Sequence, residues 1–221
     1  MKLSRTFAIV YGSFCYLLHW LATFYLIGFI GNLWWPKTID TNRKGAGPAW
    51  AVVIDVVAVM VFVLLHWMMA RPWFKSAWSR WIPQPIERST YVLTTCLTLG
   101  FLFLVWQPIL GDVWLAGGET ETHFLRGVYL LGWALAIYST FPINHWELFG
   151  LRQTWLYWSG KPYTPPKDTA SVVYRVLPHP IFLGYAISIW AAPRMSWGHF
   201  LLSSVLALFL LVDLRLAANE H

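Results

Sequence analysis

Long runs of apolar residues dominate the first two thirds of the chain, and polar residues collect between them. Four of these runs are each close to the roughly 20 residues that an α-helix needs to cross a bilayer. They cover residues 7–30, 50–70, 91–110 and 124–142. The pattern therefore predicts four membrane-spanning helices.

Two shorter apolar runs follow near the C-terminus, at residues 181–192 and 197–212, divided by Pro193-Arg194-Met195-Ser196. Each is shorter than a comfortable span. A tilted helical hairpin and one span with a return helix both fit this pattern. We therefore expect an all-α fold, a polytopic transmembrane bundle of five to six helices that ends in a helical hairpin, as a single domain over residues 1–221.

The composition supports a membrane protein. Hydrophobic residues make up 57% of the 221 residues, and only 12% are Asp, Glu, Lys or Arg, about half of the roughly 25% in soluble domains. The two cysteines, Cys15 and Cys96, both lie in apolar runs, which excludes a disulfide scaffold. Basic residues that flank membrane spans account for the net charge of +6, so we expect no nucleic-acid partner.

Basic residues are distributed unevenly among the loops, which predicts an orientation. The third loop contains no Lys or Arg and carries Asp112, Glu119 and Glu121. The segments before the first run and after the second are basic, with Lys2, Arg5, Arg71, Lys75, Arg80 and Arg88. The positive-inside rule then places the N-terminus in the cytoplasm. The first loop, with Lys37, Arg43 and Lys44, argues weakly against this orientation.

Few polar residues lie inside the apolar runs. His19, His66 and His145 lie on the runs or at their ends, and we interpret them as hydrogen-bonding to neighbouring helices. Haem ligation by such histidines is a less favoured alternative. Asp55 lies deep within the second run, where a carboxylate is costly. A structural polar contact and a role in a site both stay open for it.

The segment around His179-Pro180 is the strongest candidate for a site. Proline suits the first turn of a helix, because its missing N–H is not needed there. His179 would then lie at the positive end of the helix dipole, where backbone N–H groups bind anions. Gly184, one turn later, would let a ligand or another backbone approach closely. A helix capped in this way by chance is the alternative.

The hexapeptide His-Pro-Ile-Phe-Leu-Gly at residues 179–184 resembles the Arg-His-Pro-x-Tyr-x-Gly motif of the isoprenylcysteine carboxyl methyltransferase-like superfamily. These are integral membrane enzymes that use S-adenosylmethionine. Further segments are similar to the bacterial methanethiol S-methyltransferase branch. They lie at residues 66–75, 85–93, 144–153 and 190–199.

The resemblance implies S-adenosylmethionine-dependent methyl transfer to a small thiol or another lipophilic acceptor, at a site in residues 144–216. It implies the bacterial inner membrane, with membrane lipid around the protein and no metal or haem. His179 and His145 are the candidates to take a thiol proton. The implied cofactor-binding residues are Tyr174, Arg175, His179, Pro180, Gly184, Arg152 and Gln153.

The sequence departs from the family pattern at two places. Pro178 stands where the motif has arginine, and Ala217 and Ala218 align with a pair of acids that follows the last helix in the family. These departures favour an alternative function. The chain would then be a non-catalytic relative that serves as a structural or accessory subunit of a larger membrane complex.

Overall fold

The computed structural model describes residues 3–41, 47–166, 172–177 and 179–219, with side chains as far as Arg215. Within these residues the fold is a bundle of helices with one small two-stranded sheet. The elements are α1 (Arg5–Ile30), α2 (Pro48–Ala70), α3 (Pro72–Trp78), α4 (Gln84–Val105), β1 (Asp112–Leu115), α5 (Glu119–Tyr138), α6 (His145–Leu148), α7 (Leu151–Trp158), α8 (Val172–Val176), α9 (Pro180–Trp190), β2 (Arg194–Ser196) and α10 (Trp197–Asn219).

Long apolar helices confirm the predicted all-α membrane bundle. Among the described residues, four helices are long and apolar enough to cross a membrane: α1, α2, α4 and the Trp197–Arg215 part of α10. α5 is more polar at its start, but its 20 residues extend about 30 Å at 1.5 Å per residue. The protein is therefore an integral membrane protein.

The boundaries of the third predicted helix were wrong at both ends. α4 begins at Gln84 rather than near residue 91, because Pro85 occupies its first turn, where a missing N–H costs nothing. It ends at Val105, and Trp106 has an extended backbone with ψ 129°. Pro108 lies shortly beyond this end and cannot continue a helix without loss of a hydrogen bond.

Side-chain contacts define the direction of each helix. α1 and α4 run in the same direction, since Tyr11 meets Thr90 near their starts and Tyr25 meets Phe103 near their ends. α2 runs the other way, since His66 near its end contacts Tyr91. We call the end of the bundle where α1 begins the amino-terminal face and the other end the opposite face.

The C-terminal hairpin combines a short arm with a full-length one. α9 has 11 residues and runs from the amino-terminal face, whereas α10 has 23 and returns to it. The expected short length was therefore wrong for α10, and the alternative of one span with a return helix fits the structure. The strand β2 at the turn pairs antiparallel with β1, and Arg194 donates to Asp112 at 2.7 Å. This contact ties the hairpin to the loop before α5.

α9 packs closely along α5 at a position that requires glycine on both helices. A Cβ on Gly184 would lie 2.5 Å from the backbone nitrogen of Ala136 and 2.7 Å from the carbonyl oxygen of Gly132. Ser188, one turn further along α9, donates to the carbonyl of Tyr129 at 3.1 Å. The two helices are thus antiparallel, and α9 begins at the amino-terminal face beside the end of α5.

Candidate functional site

A cavity of about 600 Å³ opens on the amino-terminal face between the start of α4 and the segment that contains α6 and α7. We call it the amino-terminal cavity. Its walls combine aromatic, apolar and charged side chains. They are Met69, Phe74, Lys75, Trp78, Gln84, Pro85, Glu87, Arg88, Tyr91, Ile143, Glu147, Leu148, Gln153, Leu156, Tyr157, Lys161, Pro162 and Tyr163.

Two left-handed backbone positions shape the α6–α7 wall. Asn144 has φ 69°, and its side-chain oxygen caps α6 by accepting from the backbone N–H of Glu147 at 3.1 Å. Gly150 has φ 84°, and a Cβ there would lie 2.6 Å from the backbone nitrogen of Ser89 on α4. Only glycine fits both the conformation and the space. The bend after α6 therefore lies directly on the first turns of α4.

Arg88 joins the two walls. Its Nε donates to the carbonyl oxygen of Leu148 at 2.7 Å, and its guanidinium carbon lies 4.8 Å from the centre of the Tyr91 ring. This geometry fixes a cation at the cavity wall.

Glu147 is the centre of the polar network in the cavity. Its carboxylate accepts from Arg152 Nη1 at 2.9 Å, from Gln153 Nε2 at 2.7 Å and from the Tyr163 hydroxyl at 2.7 Å. The hydrogen bond to Glu147 is the main reason that the pKa of Tyr163 is raised. Arg152 also donates to the hydroxyl of Thr164 at 3.0 Å. The network therefore connects α6 and α7 with the loop that follows them.

The side-chain oxygen of Gln153 is buried and has no hydrogen-bond partner among the described residues. A buried acceptor without a partner costs about 1–3 kcal/mol. Gln153 also lines the cavity. A ligand that brings a hydroxyl or amino group to this wall would satisfy it.

A hydrogen-bonded pair lies where the cavity meets the membrane-spanning part of the bundle. The Tyr91 hydroxyl is 3.0 Å from His66 Nε2, and His66 Nδ1 is 3.2 Å from the hydroxyl of Thr95. These contacts confirm that His66 hydrogen-bonds a neighbouring helix. Tyr91 lines the cavity, so the pair also presents a hydroxyl to it.

Two of the residues implied by the resemblance, Arg152 and Gln153, belong to this network, and a third, His145, is buried beside it. His145 is 2% exposed. Its Nδ1 lies 2.6 Å from the Thr140 hydroxyl and its Nε2 lies 2.9 Å from the Tyr16 hydroxyl. The interpretation of His145 as a helix-bonding residue is confirmed, since both ring nitrogens are already engaged. Its role as a proton acceptor stays a prediction.

The residues implied from the His-Pro motif do not line the amino-terminal cavity, although they lie at the same face. His179 is exposed, has φ 50° and immediately precedes α9. Pro180 and Gly184 are buried, and Gly184 lies against the backbone of α5. Their assignment to a cofactor site stays a prediction.

Tyr174 and Arg175 lie on the short helix α8. The Tyr174 hydroxyl donates to the carbonyl oxygen of Ser139, just past the end of α5, at 2.9 Å, whereas Arg175 is exposed. Pro178 and the side chains of Ala217 and Ala218, where the sequence departs from the family pattern, lie outside the described residues.

Other polar residues noted from the sequence have structural contacts. Asp55 is fully buried, and its Oδ1 accepts from the backbone N–H of Gln107 at 2.8 Å, just beyond α4. His19 stacks on Phe149 with ring centres 3.9 Å apart. In the described part of the chain, no group of three or more His, Cys, Asp or Glu side chains could hold a metal ion.

Sequence reasoning missed the cavity residues Glu147, Arg88, Tyr91, Lys75 and Lys161. Arg88 and Tyr91 lie in the segment 85–93, and Glu147 in the segment 144–153, both of which carry the family resemblance. Charged residues within these segments, beside apolar runs, could have been taken as site candidates from the sequence. The sequence does not show which of these charged residues lie close together, because that depends on the bend at Gly150.

Comparison with known proteins identifies close relatives over almost the whole chain. A methanethiol S-methyltransferase of Crocosphaera subtropica is 40% identical over 218 residues, 99% of this chain and 85% of that protein. A methanethiol S-methyltransferase of Mycobacterium tuberculosis is 40% identical over 218 residues, 99% of this chain and 89% of that protein. The match confirms the resemblance inferred from the motifs.

A more distant relative is Nurim of Xenopus laevis, 26% identical over 176 residues, 76% of this chain and 61% of that protein. No family model and no solved structure matches the chain. One assignment follows from the sequence identity to the bacterial proteins, from the share of each chain that the match covers, and from the membrane-spanning helices. The chain belongs to the methanethiol S-methyltransferase family of integral membrane methyltransferase-like proteins.

Proposed function

We propose that this protein transfers a methyl group from S-adenosylmethionine to a small thiol in the amino-terminal cavity. The observation that carries the proposal is the 40% identity, over 99% of the chain, to a protein named methanethiol S-methyltransferase. The cavity volume of about 600 Å³ also falls within the roughly 300–1,000 Å³ of small-molecule sites.

The cavity walls suit the charges of the proposed cofactor. Glu147 and Glu87 supply carboxylates, and the rings of Tyr91 and Trp78 supply π faces, which together suit a sulfonium cation. Arg88, Lys75 and Lys161 suit the carboxylate of the methionine part. Gln153 offers a free acceptor for a ribose hydroxyl or an amino group.

The acceptor side of the cavity suits a small, weakly polar thiol. Met69 at the end of α2, and Ile143 and Leu148 beyond the end of α5, contribute apolar wall, and a thiol that dissolves in the membrane would reach the cavity from that side. The Tyr91 hydroxyl, hydrogen-bonded to His66, would orient the thiol by accepting a hydrogen bond from it. When bound, S-adenosylmethionine supplies a methyl group that is already activated, so the protein contributes chiefly positioning and exclusion of water.

The distribution of charge supports a cytoplasmic amino-terminal face in the bacterial inner membrane. Most described basic residues lie at or beyond the helix ends of this face: Arg5, Arg71, Lys75, Arg80, Arg88, Arg152, Lys161, Arg175 and Arg215. Fewer, namely Lys37, Arg126 and Arg194, belong to the opposite face. The positive-inside rule then puts the cavity on the side where a soluble cofactor is supplied.

A headspace assay tests the function directly. Purified protein in lipid nanodiscs, given S-adenosylmethionine and methanethiol, should release dimethyl sulfide. A protein that binds no S-adenosylmethionine and forms no thioether would instead be an accessory subunit, which is the alternative that the changes at Pro178, Ala217 and Ala218 favour.

A variant of the His-Pro motif tests the part of the site that the resemblance implies. His179 is exposed, so His179→Ala should leave the fold intact. If His179 belongs to the cofactor site, turnover should fall by at least about tenfold, which corresponds to about 1.4 kcal/mol. Arg175→Ala, at an exposed residue four positions earlier, tests a second residue that the resemblance assigns to the cofactor site. Unchanged turnover in both variants would remove this segment from the site.

A further inference from the structure

A second cavity, of about 470 Å³, lies on the opposite face, between the loop that follows α1, the start of α5 and the turn between α9 and α10. We call it the opposite cavity. It is separate from the amino-terminal cavity, since the residues that line the two do not overlap. Its walls are formed by Ile30, Gly31, Asn32, Leu33, Trp34, Thr38, Asp40, Arg126, Tyr129, Leu130, Ala191, Ala192, Pro193, Arg194 and His199.

His199 lines this cavity and has a ring nitrogen without a hydrogen-bond partner among the described residues. Its side chain is buried, with 1% of the residue exposed, and its Nε2 lies 3.0 Å from the carbonyl oxygen of Ile189. A carbonyl only accepts, so Nε2 carries the hydrogen and Nδ1 of the neutral ring is a bare acceptor. Nδ1 has no hydrogen-bond partner among the described residues. A ligand with an N–H or O–H group would complete it.

Asp40 adds a carboxylate that is already oriented. It accepts from Asn32 Nδ2 at 2.7 Å and from the Ser196 hydroxyl. The Ser196 oxygen in turn accepts from the backbone N–H of His199 at 3.1 Å. Hydrogen bonds through Ser196 therefore connect the Asp40 carboxylate to the backbone of His199, the residue whose ring Nδ1 has no partner in the described part of the chain. Together they favour a donor that carries positive charge.

Two arginines line the same cavity. Arg126 on α5 is exposed and forms no ion pair with any described residue. Arg194 is held by Asp112, with Nε 2.7 Å from the carboxylate, and this contact raises the pKa of Arg194. A guanidinium presents several N–H donors in one plane, which suits a phosphate. The cavity thus has a cationic side and an acidic side.

The position in the bundle points to a membrane headgroup. The cavity lies where α1 ends, and Trp34, which lines it, is 71% exposed. Tryptophans at such helix ends belong to the level of the lipid headgroups. Leu33 and Leu130 extend the wall with apolar surface, against which the start of an acyl chain would pack.

We propose that the opposite cavity binds the phosphoethanolamine headgroup of a membrane phospholipid. The ammonium group donates to His199 Nδ1 and Asp40, and the phosphate contacts Arg126 and Arg194. The proposal does not depend on methyl transfer, because none of these residues lines the amino-terminal cavity.

Native mass spectrometry of the detergent-purified protein tests this site. The probes are dioctanoyl phosphatidylethanolamine, dioctanoyl phosphatidylcholine and free phosphoethanolamine. Phosphatidylcholine has the same phosphate but no N–H group, so it cannot satisfy His199 Nδ1. The ethanolamine lipid should bind more tightly by about tenfold, the equivalent of one hydrogen bond to a charged group. Equal binding of the two lipids would overturn the proposal.

Two variants distinguish a specific contact between the lipid phosphate and Arg126 from a general effect of net positive charge. Arg126→Gln should weaken binding of the ethanolamine lipid by about tenfold or more, because a charge-assisted contact with the phosphate is lost. The matched control is Arg80→Gln, at an exposed arginine on the amino-terminal face, which should bind lipid as the wild type does. Equal losses in both variants would show non-specific attraction and contradict the site. Binding of free phosphoethanolamine as tightly as the lipid would overturn the lipid as the source of the headgroup.

Discussion

Two segments carry most of the family resemblance near the proposed site, and the fold uses them differently. In the segment 144–153, the carboxylate of Glu147 forms an ion pair with Arg152 and accepts a hydrogen bond from Gln153, in the wall of a cavity. In the segment 179–184, Gly184 is pressed against the backbone of α5, and only His179 is exposed. The first segment presents side chains to a cavity, whereas Gly184 in the second allows α9 to pack closely on α5.

The difference shows that a motif can be specific for architecture as well as for chemistry. A helix that begins with proline and has glycine one turn later suits an anion site. The same pattern suits a short helix that must approach its neighbour closely. The contacts of Gly184 with Ala136 and Gly132 favour close packing for this glycine. The assignment of His179, at the start of the same helix, to a cofactor site stays a prediction.

The largest effect is expected from a methyl group on Gly184. In Gly184→Ala the new Cβ would lie 2.5 Å from a backbone nitrogen of α5, and backbone cannot move aside as a flexible side chain can. We expect a loss of about 3 kcal/mol of unfolding free energy, seen as a lower midpoint in thermal unfolding of the detergent-purified protein.

Gly127→Ala is the matched control for that variant. Gly127 lies on α5, and a Cβ there meets nothing within 4 Å. Its replacement should leave stability unchanged or raise it slightly, because alanine favours helices. A Gly184→Ala protein with wild-type stability but no affinity for S-adenosylmethionine would contradict the packing role of Gly184 and support its assignment to the cofactor site.

Compared with Gly184→Ala, Glu147→Gln should have a smaller effect on stability and a larger effect on cofactor binding. The side chains of Glu147 and Arg152 are only 15% and 22% exposed, so loss of the charge leaves Arg152 without its partner in a partly desolvated place. We expect a stability loss of about 1–3 kcal/mol and about tenfold weaker cofactor binding. Calorimetry with S-adenosylmethionine and thermal unfolding measure the two effects separately.

Glu119→Gln provides the control, since Glu119 is exposed in the first turn of α5 and outside both cavities. It makes the same change of charge without a network to disturb, and binding should match the wild type. Equal loss of affinity in the two variants would mean that overall charge, rather than the Glu147 network, governs cofactor binding.

The smallest effect concerns His145 and its dependence on pH. Burial lowers the pKa of His145 below its usual value of 6.5. As the pH falls through about 6.5, the unfolded chain binds a proton that folded His145 does not, so the wild type loses stability below that pH. In His145→Gln this loss is absent. The gap in unfolding free energy between the two proteins should narrow between about pH 7.5 and pH 5.5.

The outcome for His145 also decides its role. A variant that folds, binds S-adenosylmethionine and has lost turnover would identify His145 as the proton acceptor. Turnover that falls only in proportion to stability would agree with the hydrogen bonds to Tyr16 and Thr140, which already occupy both ring nitrogens.

The sequence predicted the helices better than the site for a physical reason. The bilayer requires long apolar runs whatever their neighbours, so α1 and α2 could be located from the sequence alone to within a few residues. α5 was also found, but it begins five residues earlier and ends four residues earlier than the predicted run. The length of α10 was underestimated because the helix continues past Asp213, which is held by Arg71 at 2.5 Å. The Glu147 network depends on the fold around Gly150 and on contacts with α4, which no local pattern encodes.

The central claim is that the amino-terminal cavity binds S-adenosylmethionine through the Glu147 network. Calorimetric titration of S-adenosylmethionine into purified wild-type protein, Glu147→Gln and Glu119→Gln tests it most directly. We predict saturable binding by the wild type and Glu119→Gln, and binding about tenfold weaker in Glu147→Gln. Absence of binding in all three proteins, or equal binding in all three, would contradict the claim.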